Sequence, residues 1–207
     1  MYFYISFGAI PRVVLPPELY WAKFNITGSD GRIKVWRQPH KELEEKNMQA
    51  TVKHGRGKVM VWGCMSAYGV GELVFIDEYM DKLKYLQILK ENLKKSAENM
   101  GILDTYKFYQ DNDPKHTAYD VRLWCLYNCP KVVNPPPQSP DLNPIENLWD
   151  ELEKNVQKSP IHSKPQLKER LQEEWAKISQ LYLSKLVQSV PRRLLEVLQR
   201  KGRSTKY

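Results

Sequence analysis

The sequence predicts an α/β fold, and two observations lead to it. An apolar run at 58–66, rich in β-branched and aromatic residues, precedes a similar run at 72–76, and their short separation indicates an antiparallel hairpin. A strand at 106–110, a helical pattern around 121–126 and a short strand at 131–134 then follow in order. Strand, helix and strand in that order imply a parallel pair joined by a right-handed crossover.

The first half of the chain contributes the hairpin and one long helix. Residues 28–57 read as a loop because glycines and polar residues punctuate them. The strand at 58–66 is expected to be buried, and Gly69-Val70-Gly71 is the predicted turn. Residues 82–98 are predicted to form a helix. Its core-facing stripe consists of Tyr85, Leu86, Leu89 and Leu93.

The second half is predicted to end in three helices. Prolines at 135–137 and 140 make a stiff loop. Asn143 is then a good N-cap, and Pro144 suits the first position of a helix that runs through Leu152. Two more helices are expected at 164–179 and 182–199. No internal repeat is apparent.

Composition bounds the class of protein. The 207 residues are 42% hydrophobic and 27% charged, which suits a globular domain and argues against disordered or fibrous classes. No apolar run approaches the roughly 20 residues of a membrane-spanning helix. Three cysteines favour a reducing compartment. The net charge of +8 permits a polyanionic partner, of which nucleic acid is the usual one, although a basic soluble protein has the same composition.

Two acids are placed where α/β folds carry chemistry. Asp111 follows the strand at 106–110, and Glu146 lies in the first turn of the helix after Asn143. A carboxylate pair from two such elements can hold Mg²⁺, and two such ions can promote phosphodiester chemistry. Each acid also has a structural interpretation, because Asp111 suits a turn and Glu146 suits a helix N-terminus. Spacing alone favours the structural interpretations.

The sequence segments around both acids resemble the motifs of mariner-type (Tc-like) DDE transposases. Residues 110–118 read QDNDPKHTA, similar to the family's second-acid motif, and residues 136–149 read PPQSPDLNPIENLW, similar to its third-acid motif. The 34 residues between Asp111 and Glu146 match the Tc-like spacing. Further matches are Lys23-Phe24-Asn25, the segments 28–32 and 61–66, Pro191-Arg192-Arg193 and Thr205-Lys206-Tyr207. The resemblance therefore covers roughly residues 23 to 207.

This resemblance implies a fold, a reaction and an organisation. The fold would be RNase H-like, a mixed sheet flanked by helices, with a C-terminal helical extension. The domains would be a non-matching segment at 1–22, a catalytic domain at 23–160, and helices with a basic tail at 161–207. The family cleaves DNA and transfers strands with Mg²⁺ held by three acids, of which Asp111 and Glu146 would be two. Asn112 and His116 would lie near the site without an assigned role, and His116 is kept out of the metal set.

The first acid of the family's motif has no counterpart here. Read without gaps, Tyr20 stands in its place, and Pro16 and Pro17 fall where the strand before it should run. Residues 12–15 could supply a substitute strand, with Glu18 as a surrogate carboxylate. A phenol is neutral at pH 7 and is a poor Mg²⁺ ligand, so we predict weak or absent strand transfer. The family's N-terminal helix-turn-helix domains also have no match in 1–22, so sequence-specific end recognition is not expected.

Positive charge is concentrated in two segments. Residues 32–58 contain eight basic and three acidic residues, and residues 191–207 contain six basic and one acidic residue. We therefore expect largely sequence-independent DNA binding in the nucleus, although a solvated surface is the simpler interpretation of each segment. The candidate DNA contacts are Arg32, Lys34, Arg37, Lys53, Arg56, Lys58, Lys115, Arg192, Arg193, Arg200, Lys201 and Arg203. An alternative is a non-catalytic nucleic-acid-binding module, or a partner that dimerises with itself or with intact transposase.

Overall fold

A computed structural model describes residues 13–14, 21–26, 57–110, 112–133 and 142–200. The strands are β1 (Val13–Val14), β2 (Trp21–Asn25), β3 (Lys58–Ser66), β4 (Gly69–Ile76), β5 (Lys107–Tyr109) and β6 (Val132–Val133). The helices are α1 (Lys82–Asn99), α2 (Tyr119–Asn128), α3 (Pro144–Val156), α4 (Lys164–Ala176) and α5 (Gln180–Gln199).

The antiparallel sheet has the order β2-β3-β4 and contains the predicted hairpin. Its turn differs from the prediction, because Ser66 pairs with Gly69 and the chain reverses at the two residues between them. Gly71 therefore lies within β4. A Cβ atom at Gly71 would collide with Cys64 Sγ and would lie 2.6 Å from Ser96 Cβ. Glycine is needed here for close packing of β4 on β3 and α1, and not for a turn.

The parallel sheet has the order β1-β5-β6 and confirms the predicted parallel pairing of the strands on either side of α2. Phe108 pairs with Val132, and α2 lies between these two strands in the chain. On the other side of β5, Val14 pairs in parallel with Phe108, so two residues of the segment 12–15, Val13 and Val14, do form a short strand. Because β1 also contacts β3, the two sheets adjoin at this point.

Two hydrophobic clusters form the core, and different helices cover them. One cluster joins β2 and β3 to α3, α4 and α5, with Trp149 and Trp175 stacked at 5.2 Å between ring centroids. The other joins β3 and β5 to α1 and α2 around Tyr85. The prediction of a mixed α/β fold flanked by helices is therefore confirmed, and the helices beyond residue 160 share the first cluster.

The helix predictions are confirmed, with small shifts of boundary. Helix α1 is capped by the side chain of Asp81, which accepts from Lys84 N. Helix α3 begins as expected, with Asn143 as N-cap and Pro144 at its first position. Helix α5 starts two residues earlier than predicted and continues through Pro191, where one backbone donor is missing.

Candidate active site

Glu146 lies in the first turn of α3, three residues after the N-cap Asn143. The Asn143 side chain accepts from Ile145 N at 3.3 Å, which satisfies one of the free N–H groups of the helix start. Ile145 and Leu148 are fully buried on either side of Glu146, while Glu146 itself is half-buried. The packing of α3 therefore leaves this carboxylate partly accessible at the positive end of a helix dipole.

Asp111 lies outside the described residues, but both of its neighbours are described. Gln110, which is 3% exposed, accepts from Tyr85 Oη at 3.4 Å and donates through Nε2 to His116 O at 3.5 Å. Tyr109 belongs to the same hydrophobic cluster as Ile145. The strand that precedes Asp111 and the helix that carries Glu146 therefore share one core.

A compact turn follows Asp111 and is organised by Asp113. Its carboxylate accepts from Lys115 N at 2.8 Å and Lys115 Nζ at 3.0 Å, while its carbonyl accepts from the amides of His116 and Thr117. Burial alone would raise the pKa of Asp113, but the two bonds from Lys115 and the nearby His116 together lower it. Asp113 is therefore a charged structural residue of this turn.

His116 is fully buried, and its ring lies against the ring of Tyr85. The two ring centroids are 4.3 Å apart with a tilt of 46°. Within the described ranges, no three side chains of His, Cys, Asp or Glu are grouped so that they could hold a metal. Asp111, the other predicted metal ligand, lies outside these ranges.

Arg193, expected to contact DNA, is instead an internal residue with 3% exposure. Its Nη2 donates to Asn147 Oδ1 at 2.7 Å and its Nε donates to Ser189 Oγ at 2.7 Å. Tyr182 Oη donates to the carbonyl of Asn147 at 3.2 Å. We therefore remove Arg193 from the DNA contacts and assign it to the packing of α5 on α3.

Sequence reasoning missed this group of residues around Asn147. A tail rich in arginine resembles a surface, and the burial of one arginine among several shows only when α5 docks on α3. The one local signal was the four-residue spacing of Ser189 and Arg193, which puts both on one face of α5.

Four of the other candidate DNA contacts lie within the described residues, and the rest lie outside them. Lys58 and Arg192 are exposed. Lys115 is half-buried through its pair with Asp113, and exposed Arg200 pairs with Glu196 at 2.9 Å. Those outside the described residues are Arg32, Lys34, Arg37, Lys53, Arg56, Lys201 and Arg203, together with the surrogate acid Glu18 and Tyr20.

A cleft of about 640 Å³ opens between the end of β5 and α2. Gln110, Asn112 and Thr117 line one side of the cleft, and Tyr119 and Arg122 line the side formed by α2. In the part of the chain that the structure describes, no helix combines the length and the apolar character needed to cross a bilayer.

Comparison with known proteins places these features in a family. A family model described as DDE superfamily endonuclease matches residues 29–168. The Tc1 transposase of Caenorhabditis elegans is 39% identical over 187 residues, which cover 90% of this chain and 68% of that protein. The Tc3 transposase of the same organism is 32% identical over 190 residues, which cover 89% of this chain and 56% of that protein.

Solved structures show the same fold at lower identity. The Mos1 transposase paired-end complex with left transposon end gives a TM-score of 0.76 at 20% identity, covering 94% of this chain and 56% of that one. The structure of the Mos1 transposase catalytic domain and Raltegravir with Mg gives a TM-score of 0.65 at 22% identity, covering 72% of this chain and 78% of that one. The chain thus spans little more than half of the Mos1 chain in its DNA complex.

Proposed function

Since the chain belongs to the DDE superfamily of endonucleases, as a domain of the Tc1/mariner transposase type, we propose that its site for metal-dependent DNA cleavage and strand transfer is centred on Asp111 and Glu146. We propose further that this activity is impaired here because the first acid is absent. The observation that carries the proposal is the position of Glu146, half-buried in the first turn of α3. The helix that presents it shares a core with β5, the strand before Asp111.

The donor set suits a hard divalent cation. Asp111 and Glu146 offer carboxylate oxygens, the ligands that Mg²⁺ prefers. Glu18 is the surrogate third ligand, since no other acid occurs before Asp30. Two bound ions would activate the attacking oxygen and stabilise the leaving oxygen of a phosphodiester. The chain's own part is to hold the carboxylates, through the Asn143 cap behind Glu146 and the bonds of Gln110 beside Asp111.

Impairment follows from the chemistry of residues 16–22. A tyrosine phenol at position 20 adds no negative charge at pH 7, so it does not replace a carboxylate in holding metal. Pro16 and Pro17 each lack the backbone N–H that a strand uses for pairing. They fall between the short β1 and β2, where a continuous strand would have to run.

The exposed and half-buried basic residues support a role in DNA binding. We propose contacts from Lys58, Lys115, Arg192 and Arg200, and from the basic residues of 32–56 and 201–203. Such contacts go to phosphates and carry little sequence information. Because cleavage and transposition act on chromosomal DNA, we propose the nucleus as the compartment, with a second copy or an intact transposase as a partner. The alternative is a module that retains DNA binding and has lost cleavage.

The test is a cleavage assay on nicked, element-end-mimicking DNA with Mg²⁺ or Mn²⁺. It compares the natural chain with a variant whose residues 16–22 are rebuilt as a strand ending in Asp. We expect cleavage only by the rebuilt chain, and its loss on Glu146→Gln or Asp111→Asn. The matched control carries the same rebuilt strand ending in Asn, which restores the strand but not the charge.

Three results would contradict the proposal. Cleavage by the natural chain that Asp111→Ala abolishes would show that the site is not impaired. Cleavage by the rebuilt chain that survives Glu146→Gln would place the chemistry elsewhere. A folded rebuilt chain that neither cleaves nor binds DNA would overturn the functional assignment.

A further inference from the structure

The contact between α5 and the first turn of α3 centres on Asn147, the residue after Glu146. Arg193 donates to the side-chain oxygen of Asn147, and Tyr182 donates to its main-chain oxygen. Both donors come from α5, from positions eleven residues apart on that helix. The first turn of α3 is therefore held at one residue through both its side chain and its backbone.

The guanidinium of Arg193 is itself held in place by a second residue of α5, Ser189. Its Nε donates to Ser189 Oγ, and Ser189 in turn donates to the carbonyl of Leu186 at 2.6 Å. A chain of hydrogen bonds thus runs from the backbone of α5 through Ser189 and Arg193 to Asn147. Hydrogen bonds from a charged donor are stronger than neutral ones, and in a buried place water competes with them less.

From this geometry we infer that Arg193 is a positioning residue, which acts through Asn147 to fix the first turn of α3 and with it the carboxylate of Glu146. The effect on metal binding rests on the proposed function, whereas the effect on α3 does not. The C-terminal helix thereby belongs to the active-site scaffold. Lysine is a poor substitute because its single ammonium cannot reproduce the fork that donates to Asn147 and Ser189 together.

The positional part is tested by hydrogen exchange on the full chain. In Arg193→Ala we expect faster exchange in peptides covering residues 142–152, because α3 loses its anchor. Peptides of α4 (164–176) should exchange as in the natural protein. The matched control is Lys185→Ala, which removes a cation from the exposed face of the same helix. Unchanged exchange at 142–152, or equal acceleration everywhere in the chain, would overturn the inference.

Two more conservative variants keep the inference testable if Arg193→Ala does not fold. Arg193→Lys keeps the charge, and Asn147→Ala removes the acceptor while Arg193 retains its bond to Ser189. Each variant that retains the natural thermal transition should show the same local acceleration at 142–152. If both fold normally and exchange like the natural protein, Arg193 does not hold this turn.

The metal part is tested with Mn²⁺ alone, measuring its affinity by electron paramagnetic resonance. Direct partners of metal ligands typically contribute about 10-fold or more to metal affinity; because Arg193 acts through Asn147, Arg193→Lys should weaken Mn²⁺ binding by a few-fold and by at most about 10-fold. In a Glu146→Gln background the same change should alter affinity by less than about 2-fold, since coupled residues give non-additive effects. A merely structural role would give equal losses in both backgrounds, and that result would overturn the inference.

Together, the exchange and Mn²⁺ measurements distinguish a failure of this inference from a failure of the proposed function. If Glu146→Gln leaves Mn²⁺ affinity unchanged, the proposed metal site is wrong, and the exchange measurement still decides whether Arg193 holds α3. If Glu146→Gln weakens Mn²⁺ binding while Arg193→Lys changes neither exchange nor affinity, the metal site stands and the positioning role is wrong.

Discussion

Asp113 illustrates how one residue organises the turn beside the candidate site. Its carboxylate and carbonyl together accept from the backbone or side chains of Lys115, His116 and Thr117. These bonds tie together residues 113–117, which begin two positions after Asp111 in the chain. The link between β5 and α2 therefore contains a defined turn at residues 113–117.

Asp113 also predicts a pH dependence of stability. Its pKa is lower in the folded chain than in the unfolded one, so its contribution is present above the unfolded pKa and is lost as pH falls through the folded pKa. We expect the difference in unfolding free energy between the natural chain and Asp113→Asn to be constant above about pH 5 and to shrink below about pH 4. Urea unfolding at each pH measures this, and a difference that grows on acidification would contradict it.

Among the secondary-structure elements, α3 is the one whose N-terminal cap lies next to a candidate metal ligand. Asn143 is fully buried and satisfies the Ile145 amide, one residue before Glu146. Its own Nδ2 has no hydrogen-bond partner among the described residues. The Asn143 side chain therefore stabilises the start of α3 through its oxygen, while its buried Nδ2 donor is left without a hydrogen bond, which costs free energy.

We expect Asn143→Ala to lower the unfolding free energy by about 1 kcal/mol, the usual effect of losing a cap. Ser163→Ala is the matched control, because Ser163 caps α4 in the same way, through Gln166 N at 3.3 Å. Both variants should lose similar stability in urea unfolding, but only Asn143→Ala should weaken Mn²⁺ binding. Equal Mn²⁺ affinity in the two variants would show that the Asn143 cap does not contribute to metal binding.

For the molecule as a whole, the net charge of +8 predicts DNA binding that depends on salt. With six or more phosphate contacts, affinity for duplex DNA should fall on the order of 10³-fold between 50 and 200 mM salt, with little sequence preference. Arg192→Ala should reduce by about one the slope of log affinity against log salt concentration, which we call the salt slope. Arg193→Ala should leave the slope unchanged, because that side chain is buried. Salt-insensitive binding, or equal slopes for the two variants, would contradict this.

The order of elements is predictable because it depends on local signals. The apolar runs at 58–66 and 131–134, the Asn143-Pro144 helix start and the spacing of Leu89 and Leu93 each act within a few residues. The predicted turn of the hairpin is misplaced because Gly69 and Gly71 suit a turn equally well by propensity. The packing of Cys64 and Ser96 against β4, which demands glycine at 71, is not local.

Residue identity and spacing alone are enough to identify the family, and they also predict the two acids of its motif and the lack of the first. Which charges are available to a partner depends instead on how the helices pack. Arg192 and Arg193 are adjacent and chemically identical, yet one is exposed and the other is buried against Asn147. The physical reason is that burial is a property of helix docking, which joins two residues 46 positions apart in one hydrogen bond.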